Sequence, residues 1–168
     1  MRDEDVVAAG AGAVVVGVDD SEGGRTAVAH ALREAARRGV GVLAVMAYDF
    51  PELLSAPIGP VVDRAGLMRE LGALAQDIVD SVVADARAEC RDMAEVADLP
   101  EVRVAALSGS AAEVLCRVSR GAALLVVGHR GRGGLASRLI GSVGLGVVVH
   151  AACPVLVVRP TPTATQVR

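Results

Sequence analysis

Short runs of consecutive apolar residues alternate along the chain with longer segments in which apolar residues recur at helical spacing. A continuous apolar run is typical of a strand that is covered on both faces of its sheet. Five such runs are predicted as strands, at residues 13–18, 42–47, 102–107, 123–127 and Pro154–Val158. Because helical segments separate them, the strands need crossover connections and form a parallel sheet with helices on both faces. The pattern predicts one doubly wound α/β domain.

The helical segments have recognisable ends. The first is expected to begin after Ser21 and to stop at Gly39, since glycine commonly terminates helices. A long amphipathic helix is predicted from about residue 63 to 97, with at most one break. Ser110 and Glu113 fit a capping box, in which the two side chains satisfy free amides at a helix start. The last helix is predicted over residues 142–151.

The two ends of the chain lack this pattern. Residues 1–12 are expected to form a flexible tail, and the Thr/Pro-rich residues 160–168 a disordered one. A single domain is therefore expected over residues 13–159, with no internal repeat and no second domain.

The composition excludes several kinds of chemistry. All 17 basic residues are arginine, and Tyr48 and Phe50 are the only aromatic residues. Without lysine the chain contains neither a Schiff-base nucleophile nor a Walker-type phosphate loop. A net charge of -3 with so few aromatic residues argues against binding of single-stranded nucleic acid.

Two apolar stretches suggest membrane insertion or export. Residues 139–158 are uncharged and long enough to span a bilayer, but Pro154, several glycines and His150 interrupt them. Residues 6–18 are similar to a signal-peptide core, yet the residues before them are net acidic. Three cysteines, an odd number, show no metal-ligand spacing. We therefore expect a cytoplasmic protein with reduced thiols and no membrane association.

The residues after the first and fourth strands carry the candidate chemistry. In open α/β sheets, ligands bind beyond the carboxyl ends of strands, where the strand order reverses. Asp19 follows the first strand, without the glycine fingerprint of dinucleotide-binding proteins. A Gly/Arg loop beginning at Gly128 follows the fourth and leads to Gly141 and Ser142 at a helix start. Such amides can hold a phosphate without lysine. The alternative is a flexible connection in which Ser142 only caps its helix.

The spacing of these glycines is more specific than their number. Two residues separate Gly128 from Gly131, nine more precede Gly141-Ser142, and Val143 follows. This G-x2-G-x9-G-S pattern resembles the nucleotide-binding signature of the universal stress protein family, in its ATP-binding subclass. The opening VVVGVDDS and the closing CPVLVVR are also similar to that family, and the resemblance covers about residues 13–159.

The resemblance implies a Rossmann-like five-stranded sheet of order 3-2-1-4-5, of the adenine nucleotide alpha-hydrolase-like type. It implies that Asp19 accepts hydrogen bonds from ribose hydroxyls, that Ala47 offers backbone groups to adenine and that Gly128 lies by the ribose. The amides that would hold the phosphates are those of Gly131, Gly141, Ser142 and Val143. Taken without the resemblance, Asp19 is a helix cap or loop carboxylate, although Asp20 and Ser21 are better cap candidates.

The implied function is that of an ATP-binding regulator of the stress response, with no catalytic residue and no metal ligand of its own. ADP or AMP is an alternative ligand, and Mg²⁺ can accompany the nucleotide. Gly144 stands where family members commonly carry a hydroxyl, which removes one contact to the distal phosphates; Arg130, Arg132 and Arg138 are candidates to compensate. The resemblance also implies a homodimer through Pro154–Val158 and an unidentified downstream protein partner. The alternatives are a slow ATPase or phosphotransferase, and an interaction module that has lost nucleotide binding.

Overall fold

The computed structural model describes residues 3–48, 64–92, 99–131 and 140–160. In these residues helices and strands alternate along the chain. Their bounds are α1 Asp3–Gly10, β1 Val14–Gly17, α2 Glu22–Arg38, β2 Val42–Tyr48, α3 Arg64–Asp92, β3 Val102–Ser108, α4 Ala111–Val118, β4 Leu124–Gly128, α5 Ser142–His150 and β5 Val155–Val158.

The strands form one parallel sheet of order β3-β2-β1-β4-β5, which confirms the predicted sheet. Val14 of β1 pairs with Val42 of β2 on one side and with Leu124 of β4 on the other. The strand order reverses at β1, so the carboxyl ends of β1 and β4 lie side by side. This is the place at which open sheets bind their ligands.

Two apolar layers explain why the strands are continuously hydrophobic. Val14 and Val16 point into the layer under α2 and α3, whereas Val15, between them, points into the layer under α4 and α5. Because successive side chains of a strand point to opposite faces, both faces need apolar residues. Leu32 of α2 and Leu125 of β4 are fully buried, one in each layer.

The helix α1 corrects the expectation of a flexible tail at residues 1–12. Val6 is fully buried in the layer under α4 and α5, and α1 lies against α4, β2 and β3. Gly10 fits closely, since an added Cβ would come within 2.5 Å of the carbonyl oxygen of Val118. Burial of Val6 explains why this segment is helical and packed. Residues 161–168 of the tail expected at residues 160–168 lie outside the described residues.

Two of the helix ends predicted from the sequence are present in the structure, and a third prediction is wrong. Ser21 caps α2, with its hydroxyl accepting from the amide of Gly24 at 3.0 Å, and Gly39 ends α2 with φ 64°. The capping box expected at Ser110 and Glu113 is wrong, because the Ser110 side chain makes no capping hydrogen bond. Both side chains are exposed, where water can satisfy the first amides of α4.

Among the described residues, no helix has the length and apolar character needed to cross a membrane. The uncharged stretch at residues 139–158 contains α5, which has nine residues, and β5.

Candidate functional site

Asp19 lies in the turn between β1 and α2, where a short hydrogen-bonded chain holds its carboxylate. Oδ1 accepts from the Ser21 amide at 3.2 Å and from the Ser21 hydroxyl. Gly24 packs directly beneath, since a Cβ there would lie 2.5 Å from both the carbonyl oxygen and Oδ1 of Asp19. The carboxylate is thus positioned by its own turn, and this turn requires a glycine at position 24.

The segment after β4 meets this turn. A Cβ on Gly128 would lie 2.8 Å from the carbonyl carbon and oxygen of Gly23, and one on Gly131 would lie 2.5 Å from Oδ2 of Asp19. A Cβ on Gly23 would likewise come within 2.5 Å of the carbonyl oxygen of Arg130. The two loops therefore touch backbone to backbone, and the structure brings Asp19, Gly128 and Gly131 together.

The start of α5 joins the same group. The Gly141 amide donates to the carbonyl oxygen of His129 at 2.9 Å, which ties the helix start to the segment after β4. Leu145 donates to the Gly141 carbonyl oxygen at 2.9 Å, so the amides of Ser142 and Val143 have no acceptor within the helix. Ser142 is exposed and Gly141 carries no side chain that could cap the helix. These free amides and the helix dipole favour an anion.

Ala47 lies in β2, half-buried and paired with Leu107 of β3. Gly17 pairs with Val45, and the Val18 amide donates to the Val45 carbonyl oxygen at 2.8 Å. Continuing that parallel register places Ala47 beside the chain that leaves β1 at Asp19. The structure thus puts Ala47 at the carboxyl end of the sheet, next to the crevice.

Gly144 is buried, and a Cβ there would come within 2.7 Å of Cγ2 of Ile140. A hydroxyl-bearing residue would have to displace Ile140, so the glycine matches its surroundings. Residues 132–139, including Arg132 and Arg138, lie outside the described residues.

His129 connects the segment after β4 to the edge of the sheet. Its amide donates to the carbonyl oxygen of Val158 at 2.7 Å, and its Nδ1 is buried and makes no hydrogen bond to any described residue. Desolvation, with the charges of Arg159 and Arg130, lowers the pKa of His129 below its usual value. The imidazole is therefore neutral at pH 7. No group of three or more His, Cys, Asp or Glu residues in the described ranges is placed to hold a metal ion.

Gly23 and Gly24 also shape the site, although neither is among the residues predicted from the sequence. Both lie in the first turns of α2, where glycine is about 1 kcal/mol less favourable than alanine. Two adjacent glycines in the first turn of a helix are the signal that indicates a close backbone approach at this point.

The model of the universal stress protein family matches residues 11–159, which is nearly the whole chain. The chain belongs to the universal stress protein family. It is 36% identical over 146 residues to universal stress protein Rv2005c of Mycobacterium tuberculosis, a match that covers 87% of this chain and 45% of the relative. The chain spans about half the length of the curated relatives it matches.

Solved universal stress proteins show the same fold. One, solved in complex with cAMP, has a TM-score of 0.56 and 23% identity, and the match covers 89% of this chain and 98% of that one. Another, from Archaeoglobus fulgidus and in complex with dAMP, has a TM-score of 0.53 and 19% identity, with 87% and 96% covered. At these identities the likeness establishes the α/β architecture of the family.

Proposed function

We propose that this universal stress protein binds an adenine nucleotide, with ATP as the expected ligand, in the crevice between the ends of β1 and β4, and acts as a nucleotide-dependent regulator of the stress response. One observation carries the proposal: the Asp19 carboxylate, the backbone from Gly128 to Gly131 and the free amides at the start of α5 converge where the strand order reverses. A carboxylate suits ribose hydroxyls, and free amides suit phosphate.

The class of ligand is supported by the two relatives solved with cAMP and dAMP, which share an adenine base and one phosphate. In this chain Asp19 would accept from the ribose and the backbone of Ala47 would face adenine. The amides of Gly131, Ser142 and Val143 would hold phosphate oxygens. Gly144 leaves no hydroxyl for a distal phosphate, so ADP and AMP are part of the test, as is Mg²⁺.

In this proposal, regulation depends on binding of the nucleotide and not on its hydrolysis. A ligand shifts a protein between conformations only by its differential affinity for them. The nucleotide would stabilise or reshape the loop from Gly128 to Gly141, and an unidentified partner protein would recognise this change. We place this activity in the cytoplasm.

Analysis of the purified protein by native mass spectrometry, followed by calorimetric titration with ATP, ADP, AMP and GTP, tests the proposal. We expect a bound adenine nucleotide, or affinity for adenine but not guanine nucleotides. No affinity for any adenine nucleotide, with or without Mg²⁺, would contradict nucleotide binding and favour an interaction module. Repeated turnover of ATP would instead favour the ATPase alternative.

We also propose that two copies associate through β5, the edge strand of the sheet. Val155, Leu156 and Val157 are half-buried there, and the neighbouring α5 exposes Leu145 and Val149, the latter to 63%. An apolar edge of this kind favours pairing with another chain.

The molar mass measured by light scattering during size-exclusion chromatography tests this association, with a matched pair of variants. Val149→Arg adds a charge to the exposed α5 face, and we expect it to shift dimer to monomer. Leu74→Arg adds the same charge to α3, where Leu74 is 58% exposed, and is expected to leave the dimer intact. A monomeric wild-type protein at high concentration, or a dimeric Val149→Arg variant, would contradict the proposed interface.

A further inference from the structure

The helices α4 and α5 pack side by side on one face of the sheet. Each returns from the carboxyl end of one strand to the amino end of the next, so the two helices run in the same direction. Their contact is close at Ala112 and Gly146, where a Cβ added to Gly146 would lie 2.9 Å from Cβ of Ala112.

This contact fixes how the two helices are aligned, and so which residues lie at the same level further along them. Cys116 is four residues after Ala112, on the same side of α4 and one turn closer to the amino end of the sheet. One turn beyond Gly146, α5 ends at His150, and Cys153 follows in the connection to β5. The geometry therefore places Cys116 and Cys153 at the same end of the paired helices.

The connection that carries Cys153 is held on both sides. The Ala151 amide donates to the Val147 carbonyl oxygen at 2.8 Å, and the Leu125 amide donates to the Pro154 carbonyl oxygen at 2.9 Å. Cys116 and Cys153 are both free and half-buried, and both pack against the apolar layer under α4 and α5. Both therefore lie against the same apolar layer in hydrogen-bonded parts of the fold, and each is partly open to solvent.

The electrostatics agree with this placement. Burial raises the pKa of the Cys116 thiol, and the charge of a Cys153 thiolate raises it further.

We propose that Cys116 and Cys153 form a dithiol that hydroperoxides oxidise to an intrachain disulfide. The Cys153 thiolate attacks one peroxide oxygen, the O–O bond breaks, and hydroxide leaves with a Cys153 sulfenic acid behind. The Cys116 sulfur then attacks the sulfenyl sulfur, the S–S bond forms, the S–O bond breaks and water leaves. Two thiols are oxidised and one hydrogen peroxide is reduced to two molecules of water.

The third cysteine is a built-in control. Cys90 belongs to α3, whose buried residues pack in the layer on the opposite face of the sheet. Since the chain has no lysine, trypsin cuts it only after arginine and not before Pro160. The three cysteines then fall in separate peptides, at residues 88–91, 104–117 and 139–168.

The experiment treats the reduced, full-length protein with an equimolar amount of hydrogen peroxide, counts the remaining thiols and maps tryptic peptides without reduction. We expect two of the three thiols to be lost, and peptide 104–117 to be linked to peptide 139–168. The Cys90→Ser variant should give the same linked pair, whereas Cys116→Ser and Cys153→Ser should not. Reduction with dithiothreitol should restore both thiols.

A mixture of ¹⁴N- and ¹⁵N-labelled protein separates links within one chain from links between chains. Linked pairs of uniform label support the proposal. Mixed-label pairs alone, or oxidation of both residues to sulfinic acid without a link, would overturn it. The wild-type peptide map decides between these outcomes even if a serine variant fails to fold.

Discussion

Replacing Gly131 with alanine tests how the two loops form one site. The added Cβ would lie 2.5 Å from Oδ2 of Asp19, about 1 Å inside an ordinary contact. The other carboxylate oxygen is held by the amide and hydroxyl of Ser21, so Asp19 cannot move away without loosening these bonds. We therefore expect Gly131→Ala to displace the carboxylate from the position in which it would meet a ribose.

The size of the effect follows from the hydrogen bond that would be lost. A hydrogen bond to a charged group is worth about 1.5–3 kcal/mol. Since about 1.4 kcal/mol corresponds to a tenfold change in affinity, Gly131→Ala should weaken nucleotide binding about 10- to 100-fold. Gly131 is exposed, so the stability cost should be limited to loosening the bonds between Asp19 and Ser21, at most about 1 kcal/mol.

Calorimetric titration of five proteins measures this effect: the wild type, Gly131→Ala, Asp19→Ala, their double variant and a control. The control is Gly41→Ala, which adds the same methyl group at the other end of the sheet, at an ordinary 3.4 Å from the carbonyl oxygen of Glu101. In an Asp19→Ala background, Gly131→Ala should cause almost no further loss, because the carboxylate it displaces is gone. Wild-type affinity in Gly131→Ala, or a full additional loss in the double variant, would show that the added methyl group does not act through the Asp19 carboxylate.

Three further predictions concern stability. Ser21→Ala removes the α2 cap and should lower the free energy of unfolding, measured by urea denaturation, by about 1 kcal/mol. Ser110→Ala removes no capping bond and should change it little. Equal effects of the two substitutions would contradict the assignment of the caps. The pKa of His129 is lowered in the folded protein, so the unfolded chain binds more protons below about pH 6.5. The free energy of unfolding should therefore fall as the pH drops from 6.5 towards the folded pKa, and His129→Gln should flatten this fall. A pH profile in denaturant titrations that is the same for both proteins would contradict this. Val6→Ala should cost about 2 kcal/mol, because the Val6 side chain of α1 is fully buried in the layer under α4 and α5, whereas Val149→Ala at an exposed position should cost almost nothing. Matching urea midpoints of the two variants would indicate that α1 does not pack.

The sheet could be predicted from the sequence because its signal is local. Runs such as Val14–Gly17 and Leu124–Gly128 are apolar on every residue, since both faces of a central strand are covered. The helix stop at Gly39 and the cap at Ser21 are equally local signals. The strand order, in contrast, came from the resemblance to a known family, because apolar runs do not say which strands are neighbours.

Other features depend on contacts between distant segments. The helix α1 packs against the domain because Val6 contacts an apolar surface formed by later elements of the chain. The pattern of residues 1–12 contains no information about that surface. The close approach of Gly23 to Gly128 and of Gly131 to Asp19 is likewise set by the meeting of two loops over 100 residues apart. Several glycines in a loop indicate that the backbone approaches another segment closely, but the fold is needed to identify that segment.

An amide-detected NMR titration with ATP and AMP can locate an adenine nucleotide bound between the ends of β1 and β4. We expect the largest shift changes at the amides of Gly128, Gly131, Ser142 and Val143, with Gly12 and Gly39 at the opposite end of the sheet unchanged. Saturable changes centred elsewhere, or no change at these four amides at millimolar nucleotide, would contradict binding at this site.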